Sequence, residues 1–184
     1  MSEIRLAIVG CGGITLQNHL PGIAMCGGAR LTALCDANPQ TLERAQTQTG
    51  VGVGSTDYHQ VVVRDDVDAV IIATPNLFHG PIAQAAIAAG KHVLCEKPIA
   101  MDYQEARAMA KAADQAGVRH MTAFTYRFVP AMRYLSHLVQ DGFLGDPYHF
   151  RCCRLQDWGN RDLGWRQEAR FAGTGELGDM LSTT

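Results

Sequence analysis

Short, unbroken apolar runs alternate along this chain with longer stretches of helical periodicity. Residues 6–9 (Leu-Ala-Ile-Val) and 69–73 (Ala-Val-Ile-Ile-Ala) show no polar alternation, the pattern of parallel strands buried on both faces. Further strands are predicted over 30–35, 51–53, 92–95 and 119–124. Helices are predicted over 14–26, 39–50, 81–89 and 103–116, with a short helix or turn over 56–63. Punctuation agrees with this division. Asn38-Pro39 supplies an N-cap and a first-turn proline, Asp102 with Glu105 forms a capping-box pattern, and Gly27, Gly50, Gly90 and Gly117 act as stops. Pro21 falls inside the first helix and is expected to bend it or restart it one turn on.

Strands and helices alternate with no hairpin signal, so the fold class is α/β, a doubly wound parallel sheet with right-handed crossovers. Beyond Thr125 the pattern changes. Residues 128–139 read as a helix, 142–147 as a loop, and 148–155 as the first strand of another sheet, followed by a polar, Gly-rich stretch. The expected organisation is one domain over residues 1–124 and, over 125–184, the beginning of an incomplete α+β domain.

The first strand runs directly into Gly10-Cys11-Gly12-Gly13-Ile14, and the second ends at Asp36. Glycines there permit a tight turn and let the backbone approach a pyrophosphate, and the following helix presents unpaired N–H groups to it. An acid closing the second strand can accept the ribose hydroxyls of an adenosine and repels a 2′-phosphate. The order strand, glycines, helix, strand, acid is that of a Rossmann dinucleotide site, and Asp36 favours NAD over NADP. Thr15 stands in the third position of the G-x-G-x-x-G/A pattern, where glycine or alanine is usual. The glycines at 50, 52 and 54 lack the strand-to-helix context and read as a loop.

Two other polar groups fall at predicted strand ends, the edge where open α/β sheets bind ligands. Thr74-Pro75-Asn76, with His79 one helical turn on, follows the 69–73 run. There His79 either faces a cofactor or serves as a surface or capping residue. Glu96-Lys97-Pro98 follows the 92–95 strand, and a half-buried Lys beside an acid can hydrogen-bond a hydroxyl or exchange a proton, where the plain alternative is a loop salt bridge.

Composition narrows the field. A net charge of −2 offers no basic surface for nucleic acid or anionic lipid, and no apolar run approaches a membrane span. The first residues lack a signal-peptide layout, so a cytoplasmic location is expected. The six cysteines are scattered without a C-x-x-C pair, which argues against zinc and dithiol chemistry, and no metal is expected. They are expected to be small buried hydrophobes, with Cys11 placed inside the glycine loop.

Together, Gly10-Cys11-Gly12-Gly13-Ile14 with His19-Leu20-Pro21, Cys35-Asp36, Ala73-Thr74-Pro75-Asn76 with His79, and Glu96-Lys97-Pro98 resemble the glucose-fructose oxidoreductase and inositol dehydrogenase family (Gfo/Idh/MocA). Tyr126-Arg127-Phe128, Trp165-Arg166, and the 173–179 stretch ending at Asp179 continue the resemblance. It implies an NAD(P)-dependent hydride transfer at a secondary alcohol carbon of a sugar, cyclitol or related polyol, with a second domain covering the nicotinamide. It further implies that Lys97 contacts the reacting hydroxyl, with Asp179 as its catalytic companion and a Lys97–Pro98 bond that can be cis. Gly10, Gly12, Gly13, Ile14, Asp36, Thr74, Pro75, Asn76, His79, Glu96 and Lys97 are then expected along the cofactor. Tyr126, Arg127, Trp165 and Arg166 are expected near the nicotinamide or substrate, and a homo-oligomer is expected for a full-length form.

One departure stands out. The family's motif after Asp179 continues to a Gly and a catalytic His, and here Leu181 and Thr183 hold those positions. Either this chain resembles members that rely on the Lys alone, or it diverges and stops short after Asp179; the abrupt end favours the second. Alternatives to a working dehydrogenase are a non-catalytic dinucleotide-binding module and an inactive fragment.

Overall fold

The computed structural model describes residues 3–153, 164–175 and 178–179. Six parallel strands form one sheet: β1 (Ile4–Val9), β2 (Ala29–Cys35), β3 (Gly54–Ser55), β4 (Ala69–Ile72), β5 (His92–Cys95) and β6 (His120–Thr122). Their order, β3-β2-β1-β4-β5-β6, is that of the doubly wound Rossmann sheet, with its reversal between β1 and β4. The unbroken apolar runs occupy its centre. Ala7, Ile8, Val70 and Ile72 are fully buried because helices cover both faces of these strands.

One face carries α1 (Leu20–Met25) and α2 (Pro39–Thr49), packed over Leu6, Ile8, Leu34 and Ile71. The other carries α3 (Tyr58–Val62), α4 (His79–Ala88) and α5 (Tyr103–Ala116), packed over Val9, Val70, Ile72 and Val93. β2 holds one extra residue opposite the junction of Leu6 and Ala7. That residue, Thr32, remains buried because its hydroxyl donates to the carbonyls of Leu6 and Asp66. At the opposite end of the sheet from the glycine loop, Asp68 accepts from the backbone N–H, Nε and Nη2 of Arg5, at 2.6–2.9 Å.

The first helix restarts as its proline requires. A five-residue π turn, Thr15–His19, precedes α1, which places Pro21 in its first turn where no N–H is needed. Asn38 caps α2, its side-chain oxygen accepting from Gln40 and Thr41. Asp102 caps α5 by accepting from Glu105 N, but the Glu105 carboxylate accepts from Met101 N rather than from Asp102, so the box closes one residue early.

Two strands differ from expectation. Instead of 51–53, β3 is Gly54–Ser55, because the Gln46 amide reaches across from α2 and takes the carbonyls of Val51 and Gly52. Residues 148–153 form no strand: they are exposed and have no ladder partner among the described residues. Residues 154 and 155 lie outside the described range. After β6 the chain makes a 3₁₀ turn, Thr125–Phe128, and then α6 (Pro130–Gln140), which leaves Met132, Leu135 and Val139 exposed. A second 3₁₀ turn, Trp165–Gln167, leads into α7 (Ala169–Ala172).

Candidate active site

The glycine loop lies at the reversal point of the sheet. Gly10 has φ +99°, and its N–H donates to Cys35 O at 2.8 Å. A Cβ at this position would meet Ala73 O at 2.5 Å and Thr74 N at 2.8 Å, so the loop packs backbone to backbone against the end of β4. Gly12 and Gly13 differ: both are exposed, and a Cβ at either would meet no atom within 4 Å. Their missing side chains therefore leave open space at a helix start, the requirement of a pyrophosphate cradle. Ile14, also exposed, opens the helical turn.

Thr15, the unexpected third residue of the pattern, is fully buried, and its hydroxyl donates to Gly10 O at 2.5 Å. It closes the loop from inside, and the turn that follows is wide enough to be π rather than α. Asp36 faces the same loop. One carboxylate oxygen accepts from Cys11 N at 2.7 Å and the other from Asn38 N at 2.9 Å. The acid is thus held beside the glycines with lone pairs remaining on both oxygens.

Cys11 is buried beneath this loop, and its thiol contacts Cys35 O at 3.4 Å. Burial, reinforced by the Asp36 carboxylate, pushes its pKa up to about 12, which makes it a packing residue and not a nucleophile. Cys35 is likewise pushed up to about 12 by burial, and Cys95 is also shifted upward. The expectation of uniformly buried cysteines needs correction: Cys26, Cys152 and Cys153 are exposed, lying in turns and coil outside the sheet.

The β4 end carries Thr74, Pro75 and Asn76. Asn76 is 2% exposed, and its Nδ2 donates to Ala172 O at 3.2 Å. Its Oδ1 and the Thr74 hydroxyl are buried without a partner among the described residues. His79 is buried, not at the surface, and its backbone N–H closes the 3₁₀ turn Asn76–Phe78 by donating to Asn76 O. Its Nδ1 faces Pro98 O at 2.7 Å and its Nε2 faces Thr74 O at 2.8 Å, so the ring joins the β4 turn to the β5 turn.

At the β5 end the Lys97–Pro98 peptide is cis. Glu96 Oε1 lies 2.9 Å from His19 Nε2, and the other carboxylate oxygen accepts from Lys97 N at 3.3 Å. Lys97 Nζ donates to Asp179 Oδ1 at 2.7 Å and to Asp179 O at 3.1 Å. Asp179 is buried, and Arg166 Nε stands 3.7 Å from its second carboxylate oxygen, with the guanidinium 4.4 Å above the Trp165 ring.

The glycine loop, Asp36, the β4 turn and Lys97 therefore share one edge of the sheet, and Trp165, Arg166 and Asp179 fold back onto it. Tyr126 and Arg127 lie one strand further along, in the turn after β6, where Arg127 sits 5.3 Å over the Phe124 ring. Leu181 and Thr183 lie outside the described residues. His19 was prominent in the sequence without an assigned role. Its partnership with Glu96 depends on the π turn, and helical spacing gives no sign of that turn.

Residues 4–124 match the model of GFO_IDH_MocA, an oxidoreductase family with an NAD-binding Rossmann fold. The chain belongs to this family. It is 38% identical over 152 residues to levoglucosan dehydrogenase of Pseudarthrobacter phenanthrenivorans, covering 81% of this chain and 39% of that protein. Among solved structures it resembles the WlbA dehydrogenase of Bordetella pertussis in complex with NADH and UDP-GlcNAcA, at 33% identity and a TM-score of 0.74. That match covers 78% of this chain and 41% of the other. A 3-ketoreductase of Actinomadura kijaniata in complex with NADP and TDP-benzene aligns at 29% identity and a TM-score of 0.71, covering 77% and 43% respectively. The chain thus spans about half the length of the curated relatives it matches, 53% in the case of 1,5-anhydro-D-fructose reductase of Ensifer adhaerens. Its first six strands form the family's NAD(P)-binding fold.

Proposed function

We propose that this chain carries the cofactor half and part of the catalytic half of a dehydrogenase that oxidises or reduces a secondary alcohol carbon of a sugar or related polyol. The observation that carries this reading is the position of the Lys97 ammonium. It is held against a buried Asp179 at the same strand edge as a glycine loop with open space at Gly12 and Gly13.

Gly12, Gly13 and the helix start would hold the pyrophosphate, Asp36 the adenosine ribose, and Thr74 with Asn76 the nicotinamide ribose. When bound, the nicotinamide supplies the hydride donor or acceptor. An ammonium has three N–H donors. Two of those on Lys97 go to Asp179, and the third would donate to a substrate hydroxyl, with Lys97 as the proton-handling group. Asp179 fixes the Lys97 side chain, and Arg166 compensates the buried carboxylate. Glu96, braced by His19, holds the Lys97 backbone, while His79 ties together the turns that carry Asn76 and Lys97. Trp165 and Arg166, with Tyr126 and Arg127 farther out, would border the substrate.

Asp36 favours NAD over NADP, because a 2′-phosphate placed against its carboxylate would set like charges together. In this reading residues 1–124 are the dinucleotide domain and 125–184 begin the substrate domain. A full-length form is a homo-oligomer, and six unpaired thiols suit a reducing cytoplasm.

Incubating the protein with NAD and a panel of sugars and polyols, while following reduced-nicotinamide absorbance, tests the reading. Substrate-dependent reduction is expected. Cofactor binding without reduction by any polyol would support the second reading, a binding module without turnover, which the Thr at position 183 favours.

A further inference from the structure

The Asn76 side chain has two ends with different surroundings. Ala172 O can only accept, so the atom facing it at 3.2 Å is the amide nitrogen and the other atom, Oδ1, is an acceptor. That oxygen has no donor among the described residues, although Asn76 is 2% exposed. The neighbouring Thr74 hydroxyl is unpartnered as well. A buried amide oxygen without a donor is unfavourable unless a ligand supplies an N–H or O–H.

What Asn76 holds through its nitrogen is Ala172, 96 residues away in sequence, at the end of the stretch 165–172. The same stretch touches the β4 turn through Phe171, whose ring centroid lies 6.1 Å from that of Phe78. Beyond it the chain reaches Asp179 and its bond to Lys97. One amide therefore joins the cover of the cleft to the cleft floor.

We propose that Asn76 is a positioning residue that couples dinucleotide binding to the docking of residues 165–172. Nδ2 holds Ala172, and Oδ1 accepts from an O–H or N–H of the nicotinamide–ribose half of the cofactor. The proposal rests on the dinucleotide reading. With the amide fixed by either partner, the other meets a preorganised group, and by linkage each must strengthen the other by the same factor.

The test follows NADH binding by titration and, separately, backbone hydrogen exchange at Phe171, Ala172 and Gly173, whose N–H groups bond to Glu168 O and Ala169 O. Saturating NADH is expected to slow exchange at these amides by about fivefold or more, the lower end of typical couplings. Asn76→Asp keeps an acceptor but cannot donate to Ala172, and at NADH saturation it is expected to lose this slowing. Phe171→Ala removes the ring contact with Phe78 but leaves in place every residue proposed to touch the cofactor, and it is expected to weaken NADH binding by a similar factor. Wild-type binding with unchanged exchange overturns the coupling, as does a Phe171→Ala variant that binds NADH as tightly as wild type. Absence of NADH binding by the wild type overturns the dinucleotide reading itself.

Discussion

Gly10 and Gly12 sit two residues apart in one loop, yet the structure gives their methyl groups opposite consequences. An alanine at Gly10 would carry a Cβ 2.5 Å from Ala73 O and 2.6 Å from Ala73 C, at a backbone φ of +99°. The obstructing atoms are main chain in the central sheet and cannot rotate aside. Adopting that φ costs an L-residue about 1–3 kcal/mol, and forcing overpacking adds about 1–3 kcal/mol. Gly10→Ala should therefore lose roughly 2–6 kcal/mol, which for a chain of this size lowers the melting temperature by about 5–20 °C. At Gly12 a Cβ meets nothing within 4 Å, so Gly12→Ala should melt within about 0.5 kcal/mol of wild type. Its methyl group instead occupies the space proposed for the pyrophosphate, and NADH affinity should fall about tenfold or more, equivalent to roughly 1.4 kcal/mol. Thermal melts and NADH titrations of both variants check this. A Gly10→Ala protein that melts like wild type, or a Gly12→Ala protein that binds NADH normally, would refute the division of labour between the two glycines.

Other outcomes follow from individual side chains. Asp36→Ser should weaken NAD binding and improve NADP binding, each by about tenfold, as read from paired titrations; unchanged preference would remove the acid from ribose recognition. Lys97→Ala should lower turnover by about 10²–10⁴ in any version of the protein that reduces NAD, and normal turnover would remove Lys97 from proton handling. Hydrogen bonds from Arg5 hold the Asp68 carboxyl well below the usual carboxylate range, so its contribution to stability is present above the unfolded carboxylate pKa and is lost as pH falls. Asp68→Asn should then cost about 1 kcal/mol near neutrality, a figure already reduced for the pair's partial exposure, and melting curves of mutant and wild type should converge in acid. Maleimide labelling of the native protein near pH 8 should modify Cys26, Cys152 and Cys153 and spare Cys11, Cys35 and Cys95, as intact mass would show.

Much of the α/β core was legible because local chemistry and global fold agree there. The 92–95 strand, the Asn38 and Asp102 caps and the α2 and α5 stops all depend on residues close in sequence. The strand–glycine–helix–acid order also folds as read, with Asp36 at the end of β2 accepting from Cys11 N of the glycine loop. What was not legible depends on distant partners. The displacement of β3 follows from one glutamine of α2 reaching two carbonyls. The π turn that brings His19 to Glu96 lies in a run whose polarity suits an α-helix equally well. The burial of His79 was not legible either, because the carbonyls its ring lies between belong to residues 5 and 19 positions away. Alternation over 148–155 suggested a strand, but a strand needs a ladder partner, and none is present among the described residues.

The central claim is that the β1 glycine loop and Asp36 build a dinucleotide site at the reversal of this sheet. A calorimetric titration of the chain with NADH, repeated with NADPH, tests it most directly. Saturable one-to-one binding, tighter for NADH than for NADPH, is the predicted result. An absence of saturable binding by either nucleotide would contradict it.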